Sequence, residues 1–280
     1  FSRRPEQFVG MHFFSPAERM PLVEIIRGKK TSDATLAKAL DLAQALRKTP
    51  IVVNDSPGFF TSRFIGSFVS EGLKMIEQGV NPNLVENGSR MAGMPMGVMT
   101  ISDVMGLDLA YHAGKQNAKD GSAADVEASI IAKLVKEGRH GVKNGKGFYD
   151  YAADGSKTLW PGLEKIVPRA AQQPNVEEVK KRILYAQLAE GARAFAEGVL
   201  VSVIDGDLGA TLGVGFPAFW GGPFSAIDTL GAANVVAECD RLAAAYGDQF
   251  KVPQLLRDMA KNGQTFFGRN AIKSPGARAA

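Results

Sequence analysis

A pattern that occurs twice constrains the fold of this chain more than any other feature of its sequence. Residues 62–80 and 181–199 share an arginine at the second position, a Glu-Gly pair and a closing Gly-Val pair. Further on, Met-Pro at residues 94–95 corresponds to Phe-Pro at residues 216–217. An offset of about 119 residues is far longer than a solenoid repeat, so we predict one helical domain present in two copies. Patterns common to unrelated helices are the alternative explanation.

The first 54 residues differ in character from the rest of the chain. Residues 8–14, 22–26 and 51–53 are short apolar runs typical of buried strands, and residues 32–48 carry Leu and Ala at helical spacing. Such a strand–strand–helix–strand segment cannot close a core alone, so we expect it to be the end of an α/β sheet whose earlier strands are missing. Asp55 lies in the turn-forming cluster that ends this segment and is expected to cap the first helix that follows.

His12 and Glu24 are lone ionisable groups inside the first two predicted strands. Burying an unpaired charge costs several kcal/mol, so each side chain needs a partner. Two strands joined by the short polar loop at residues 15–19 would bring the imidazole and the carboxylate together. A carboxylate holds a histidine in one tautomer, which suits a general base at neutral pH. A structural histidine at a strand edge and a solvent-facing glutamate are the alternatives.

Composition excludes several classes of function. The single cysteine, Cys239, rules out a disulfide framework and suits a reducing compartment, so we expect a cytoplasmic location. The three histidines, His12, His112 and His140, lack the spacing of metal ligands, and no metal site is predicted. The net charge of +4 is spread over scattered basic residues, which does not favour nucleic-acid binding. No apolar run approaches the roughly 20 residues of a transmembrane helix, so no integral membrane segment is expected.

Two glycine-rich segments fail the requirements of a nucleotide-binding loop. Residues 213–218 fit a loose G-x-G-x-x-A pattern, but no predicted strand precedes them and Pro217 stands where the phosphate-binding helix should begin. Residues 141–147 have neither the spacing of a P-loop nor the Ser or Thr that follows its lysine. We therefore expect no recognisable nucleotide-binding motif in the chain.

The sequence Gly-Met-His-Phe-Phe-Ser-Pro at residues 10–16 is followed by Pro-Leu-Val-Glu-Ile-Ile at residues 21–26. These motifs resemble the 3-hydroxyacyl-CoA dehydrogenase family, and further motifs follow in the right order. Residues 55–63 resemble the start of the family's C-terminal helical domain, and residues 146–151 resemble its end. Residues 215–223 resemble the second helical copy of multifunctional β-oxidation proteins. The chain therefore resembles the C-terminal part of such a protein, of the trifunctional-type alpha subunit.

The resemblance implies a fold class and a set of domains. Residues 1–55 would be an α/β remnant, the C-terminal end of a Rossmann-type NAD-binding domain. Two duplicated all-α domains of the 6-phosphogluconate-dehydrogenase-like type would follow at residues 56–152 and 175–272. Residues 153–174 would link them, and residues 273–280 would form a disordered tail.

The resemblance also assigns roles to four residues in the NAD-dependent oxidation of L-3-hydroxyacyl-CoA to 3-ketoacyl-CoA. His12 would take the proton from the 3-hydroxyl, and Glu24 would orient the histidine. Ser15 would contact the cofactor, and Ser62 would lie near the substrate carbonyl. Many members of the family carry asparagine at both serine positions, and Ala226 stands in a segment that often reads Arg-Tyr-x-Asp. These departures leave the preferred acyl-chain length open.

The same resemblance implies partners in fatty-acid β-oxidation. The NAD site would lie mostly upstream of these residues, so the fragment is expected to be inactive alone. A longer parent would also carry an enoyl-CoA hydratase domain, associate with a thiolase subunit and dimerise through its helical domains. One alternative is an inert helical module that docks a thiolase. Another is a lysine-based β-hydroxyacid dehydrogenase, which the His12 and Glu24 pair argues against.

Overall fold

The computed structural model describes residues 2–118 and 123–272. The chain separates into two compact units. The first unit joins Phe1–Ser67 to Leu184–Ala280, and the second unit is Phe68–Ile183. The candidate catalytic residues of the sequence therefore lie in the first unit, together with most of the predicted second helical copy.

A three-stranded sheet opens the first unit. Strands β1 (Gly10–Phe13) and β2 (Leu22–Arg27) are antiparallel, and β3 (Thr49–Asn54) runs parallel to β2. Helix α1 (Asp33–Ala45) makes the connection between the two parallel strands, which need a crossover of this kind. Strand β2 is consequently the central strand of the sheet.

Strand β2 is buried on both faces, and alternate side chains serve different cores. Val23 and Ile25 pack against alanines of α1. Leu22 and Ile26 belong to the larger apolar cluster of the first unit. Because side chains alternate along a strand, Glu24 points to the same face as Leu22 and Ile26. Its carboxylate therefore enters the main core rather than solvent.

Helices make up most of the remaining described chain, and they are numbered here in chain order. They are α2 (Thr61–Glu77), α3 (Pro82–Met91), α4 (Val98–Met105), α5 (Leu107–Asn117), α6 (Ala123–Ala128), α7 (Ile130–Lys136), α8 (Leu163–Ile166), α9 (Val176–Ala196), α10 (Val203–Leu208), α11 (Pro223–Leu230), α12 (Ala232–Tyr246) and α13 (Gln254–Asn262). A π-helical turn, Gly209–Gly213, follows α10 directly. No described helix combines the length and the apolar character that crossing a membrane requires.

The prediction of purely helical copies is wrong for the first of them. Strands β4 (Tyr149–Tyr151) and β5 (Lys157–Leu159) pair in antiparallel fashion within the second unit. Tyrosine and threonine favour strands, and the intervening turn contains Gly155 with a φ of 83°. The sequence predicts a linker at residues 153–174, and strands of only three residues carry too little periodicity to be predicted.

Both copies of the repeated pattern cap a helix with a buried carboxylate. In the second unit, Glu86 accepts a hydrogen bond from the N–H of Met99 at 2.8 Å, at the start of α4. In the first unit, Asp207 accepts one from the N–H of Phe224 at 2.8 Å, at the start of α11. The first N–H groups of a helix have no partner inside it, so each carboxylate satisfies donors that would otherwise be buried unpaired.

Arginines at the corresponding position of the two copies form reciprocal ion pairs. Arg63 of α2 contacts Glu190 of α9 at 2.8 Å. Arg182 of α9 contacts Glu71 of α2 at 2.5 Å, and both side chains are almost fully buried. The sequence repeat therefore corresponds to a repeat of specific contacts.

The domain boundaries predicted from the sequence, at residues 55/56, 152/153 and 174/175, remain predictions. The compact units group the chain differently, because part of α2 and part of α9 belong to each of them. The predicted tail at residues 273–280 lies outside the described residues.

Candidate active site

The sheet register places His12 directly opposite Glu24 on neighbouring antiparallel strands. The imidazole Nδ1 lies 2.9 Å from the carboxylate Oε2. The Glu24 side chain is fully buried, whereas the His12 side chain is 34% exposed. The structure thus brings the two predicted residues together, with the carboxylate inside the core and the imidazole reaching the surface.

The start of helix α2 holds the Glu24 carboxylate in place. Oε1 accepts hydrogen bonds from the N–H groups of Phe60 at 2.9 Å and Thr61 at 3.1 Å. Oε2 accepts one from the Thr61 hydroxyl at 2.7 Å, in addition to His12. Four donors match the roughly four acceptor positions of an ionised carboxylate. The helix N-terminus also carries a partial positive charge that stabilises an anion.

A tight turn aims these donors at Glu24. Gly58 and Phe59 have positive φ values of 75° and 48°, and the N–H of Phe59 donates to the carbonyl of Ser56 at 2.8 Å. A left-handed conformation is unfavourable for a residue other than glycine and costs about 1–3 kcal/mol, so surrounding contacts must hold Phe59 there. The predicted cap, Asp55, is wrong: its side chain is exposed, and Glu24 caps the helix instead.

The hydrogen bond fixes the tautomer of His12. An ionised carboxylate only accepts hydrogen bonds, so Nδ1 carries the proton and Nε2 keeps its lone pair. The ring of Phe14 lies 4.7 Å from the imidazole, and the ring of Phe59 lies 6.2 Å away. An imidazole in this state can accept a proton at Nε2, and the buried carboxylate stabilises the imidazolium that forms.

Along the chain, Ser15 lies between His12 and Glu24, and Ser62 follows both. Ser15 is exposed in the loop after β1, at a cis peptide bond to Pro16. Ser62 is exposed in the first turn of α2, next to Thr61. Their proposed contacts with cofactor and substrate remain predictions.

Lys48 holds the loop that carries Ser15, a role that the sequence reading missed. Its Nζ donates to the carbonyls of Ala17 at 2.6 Å and Met20 at 2.7 Å. Neither acceptor is a side chain, so residue types alone give no signal for this contact. The contact at Thr61 was also missed, although a hydroxyl residue in the first turn of a predicted helix is a usable signal.

A cavity of about 750 Å³ lies away from this pair, at the carboxyl ends of β2 and β3. Its walls include Arg27, Lys29, Asn54 and Asp55, and Arg27 is paired with Asp33 at 2.6 Å. The charges are mixed, and neither His12 nor Glu24 contributes to the lining. The cavity therefore adds nothing to the chemistry of the pair. Within the described residues, no three His, Cys, Asp or Glu side chains form a group that would hold a metal.

Carboxylates with perturbed acidity occur outside the pair. Burial raises the pKa of Asp103, Asp205 and Asp207 above the ordinary range. Each also accepts a hydrogen bond from a backbone N–H group, which lowers the pKa in part. Asp103 also accepts a hydrogen bond from the Tyr151 hydroxyl, and Asp207 accepts one from the Ser225 hydroxyl. Because these contacts join neighbouring elements of the fold, we assign the three carboxylates a structural role.

Two family models match the chain. Residues 1–56 match the model "3-hydroxyacyl-CoA dehydrogenase, NAD binding domain". Residues 58–151 match the model "3-hydroxyacyl-CoA dehydrogenase, C-terminal domain". Together the two matches cover more than half of the 280 residues.

Solved structures show a similar fold over most of the chain. The 3-hydroxybutyryl-CoA dehydrogenase of Escherichia coli K12 is 22% identical with a TM-score of 0.72, over 93% of this chain and 71% of that one. The dehydrogenase part of multifunctional enzyme 1 from C. elegans is 26% identical with a TM-score of 0.66, over 92% of this chain and 60% of that one. The first likeness establishes the fold alone, because the identity is low.

These matches correct one prediction from the sequence. The fold class described residues 1–55 as a remnant without its NAD-binding part, but the NAD-binding domain model matches residues 1–56. The expectation that the chain is inactive, with its NAD site upstream, loses its basis for the same reason. That expectation was based on the absence of a glycine-rich nucleotide-binding motif. The segment of β1, β2, α1 and β3 nevertheless lies within the residues that match the NAD-binding domain model. The chain is therefore a member of the 3-hydroxyacyl-CoA dehydrogenase family, a family of NAD-dependent oxidoreductases.

Proposed function

We propose that this chain uses His12 as the general base in the oxidation of L-3-hydroxyacyl-CoA to 3-ketoacyl-CoA. One observation carries the proposal: the fully buried Glu24 carboxylate lies 2.9 Å from His12 Nδ1, and the imidazole is partly exposed. This arrangement leaves Nε2 free to accept a proton from a bound substrate.

In the oxidation, His12 Nε2 takes the proton of the 3-hydroxyl while the C3–O single bond becomes a carbonyl. The hydrogen on C3 leaves with its electron pair. When bound, NAD⁺ supplies the acceptor for this hydride and is thereby reduced to NADH. In the reverse direction, the protonated His12 returns its proton to the forming hydroxyl.

Glu24 contributes orientation and charge. It holds the imidazole ring in the tautomer that the reaction needs and stabilises the imidazolium by its negative charge. The rings of Phe14 and Phe59 give the partly exposed His12 apolar neighbours, and an apolar environment strengthens the interaction between opposite charges. A positioned general base is typically worth about 10²–10⁴-fold in rate.

The residues of the site fit a bound nicotinamide cofactor and an acyl-CoA. Ser15 presents an exposed hydroxyl just after the strand that carries His12, and we assign it to the cofactor. Ser62 presents an exposed hydroxyl beside Thr61, and we assign it to the substrate carbonyl. At both positions, the serine hydroxyl can make a hydrogen bond in place of the asparagine amide, but its reach is shorter.

We place this activity in fatty-acid β-oxidation, in a multifunctional protein that also has enoyl-CoA hydratase activity. The similarity to the dehydrogenase part of multifunctional enzyme 1 supports this context. The duplicated helices would serve a homodimer or a thiolase subunit. The buried free thiol of Cys239 is compatible with a cytoplasmic location.

The test is NADH oxidation with acetoacetyl-CoA by the purified chain, its His12→Ala variant and a His112→Ala control. His112 is exposed and belongs to the second unit, whereas the pair belongs to the first. We expect His12→Ala to lower kcat by about 10²–10⁴-fold and His112→Ala to leave it unchanged. Activity that survives in His12→Ala would place the base elsewhere, as in a lysine-based β-hydroxyacid dehydrogenase. A chain without any activity would favour the inert docking module.

A further inference from the structure

Two glycines of the second helical copy lie against the sheet that carries His12 and Glu24. Gly209 and Gly213 begin and end the π-helical turn. A Cβ atom on Gly213 would lie 2.6 Å from Leu22 Cδ2 and 3.2 Å from two ring atoms of Phe14. A Cβ atom on Gly209 would lie 2.7 Å from Ile51 Cδ1 and 3.2 Å from a ring atom of Phe60. No side chain fits at either position without displacing its neighbours.

Close approach, and not backbone conformation, explains why these positions are glycine. Gly209 has a φ of −60°, which any residue adopts. Gly213 is not among the described glycines with positive φ. Glycine is therefore needed here for the space that a missing Cβ provides, because it lets one backbone pack directly on another element. π-helical turns are rare and are frequently found at functional sites.

Two of the four side chains nearest these Cβ positions, Phe14 and Phe60, also neighbour the catalytic pair. The Phe14 ring would lie 3.2 Å from a Cβ on Gly213, and it lies 4.7 Å from the His12 ring. The Phe60 ring would lie 3.2 Å from a Cβ on Gly209, and the Phe60 N–H donates to Glu24 at 2.9 Å. The π-helical turn is therefore separated from His12 by Phe14 and from Glu24 by Phe60.

We propose that Gly209 and Gly213 are positioning residues for the His12 and Glu24 pair. The turn between them supports Phe14 against the imidazole and Phe60 against the carboxylate. The second helical copy would then be part of the active-site framework of this chain, in addition to any role in assembly. Two measurements test this proposal: NMR of His12 and steady-state kinetics. The kinetic measurement rests on the proposed function, whereas the NMR measurement does not.

The spectroscopic arm follows the His12 Nδ1–H proton by ¹H–¹⁵N NMR in the full chain. A hydrogen bond to a buried carboxylate shifts this signal downfield and protects the proton from exchange with water. We expect Gly213→Ala and Gly209→Ala each to move the signal and to speed its exchange. An independent variant, Phe14→Leu, removes the ring and is expected to have the same effect without crowding the core.

Two matched glycine variants separate positioning from general destabilisation. A Cβ on Gly206 would lie 2.3 Å from Phe224, so Gly206→Ala crowds the same unit but touches neither residue of the pair. A Cβ on Gly66 would meet nothing within 4 Å, so Gly66→Ala introduces the same methyl group without crowding. We expect both controls to keep the wild-type His12 signal, even where Gly206→Ala lowers the melting temperature.

The kinetic arm measures kcat and KM for NADH-dependent reduction of acetoacetyl-CoA. Misplacing a catalytic group by about 1 Å costs up to about 10²-fold, so we expect Gly213→Ala to lower kcat by about ten- to a hundredfold with KM nearly unchanged. Adding Leu22→Ala makes room for the new methyl group and should restore part of the lost kcat.

The proposal is overturned by either of two results. One is a wild-type His12 signal in folded Gly213→Ala and Gly209→Ala. The other is a Gly206→Ala variant that disturbs the signal as much as they do. If the chain has no dehydrogenase activity at all, the proposed function fails, but the NMR comparison still decides whether the turn positions the pair.

Discussion

Two buried carboxylates of the first unit cap helices in nearly the same way, yet only one of them is suited to chemistry. Glu24 accepts from the N–H and hydroxyl groups of Thr61 at the start of α2. Asp207 accepts from the N–H and hydroxyl groups of Ser225 at the start of α11, at 3.2 and 2.6 Å. Their burial is also similar, because Glu24 is fully buried and Asp207 is 6% exposed.

The difference lies in the element that carries each carboxylate. Glu24 is on the central strand of a sheet, where the neighbouring strand places a side chain directly opposite, and that side chain is His12. Asp207 is on helix α10, and its donors come from the start of α11. Capping a helix explains why a carboxylate is tolerated in a core. Only the cross-strand histidine gives it a proton-transfer partner.

The largest expected effect separates the two carboxylates by their role in catalysis. Glu24→Gln places an amide N–H₂ or a wrongly oriented oxygen against His12 Nδ1, so the tautomer is no longer fixed. We expect kcat with acetoacetyl-CoA to fall by about 10²–10⁴-fold. Asp207→Asn, the matched control, should keep kcat while the melting temperature falls. Equal losses of activity in both variants would mean that Glu24 is merely structural.

A smaller effect concerns the hydroxyl group that each carboxylate accepts from. Thr61→Val and Ser225→Ala each remove one such hydrogen bond and should cost about 1 kcal/mol of unfolding free energy. Thr61→Val should also lower kcat about fivefold, since about 1 kcal/mol of support for the charged pair is lost. Urea unfolding and steady-state kinetics on both variants check this. A Ser225→Ala variant that loses as much kcat would contradict the distinction.

The smallest effect is the pH dependence of stability at Asp207. Burial raises the pKa of this carboxyl in the folded state, so the folded protein binds its proton more tightly than the unfolded chain does. The associated stability is present below the unfolded pKa of about 3.9 and is lost as the pH rises through the raised folded value. Relative to Asp207→Asn, the wild-type protein should therefore lose unfolding free energy as the pH rises from about 3.9 through the raised folded pKa. A difference that stays constant or grows with pH in denaturant titrations would refute this.

The sequence predicts the parts of the site that depend on local pattern. Single ionisable residues in two adjacent apolar strands were enough to predict that His12 and Glu24 need each other. The cap on α2 could not be predicted, because its carboxylate lies 37 positions before Thr61. Local rules favoured Asp55, and only the fold brings Glu24 to the helix start.

Three further features of the structure could not be predicted from local sequence pattern. Hydrogen bonds to backbone carbonyls do not depend on residue type. The contacts of Lys48 with the loop after β1 could therefore not be predicted from the sequence. Gly213 lies in a segment whose glycine pattern fails the requirements of a nucleotide-binding loop. Its actual contacts with Leu22 and Phe14 depend on packing between distant parts of the chain. The very short strands β4 and β5 were missed because three residues carry too little periodicity.

The most direct test of the central claim is the tautomer of His12, measured by ¹⁵N NMR of the imidazole at neutral pH. The account predicts a protonated Nδ1, bonded to Glu24, and an Nε2 with the chemical shift of an unprotonated ring nitrogen. It also predicts that Glu24→Gln abolishes this preference. A His12 ring that carries its proton on Nε2 in the wild-type chain could not act as the proposed base and would contradict the account.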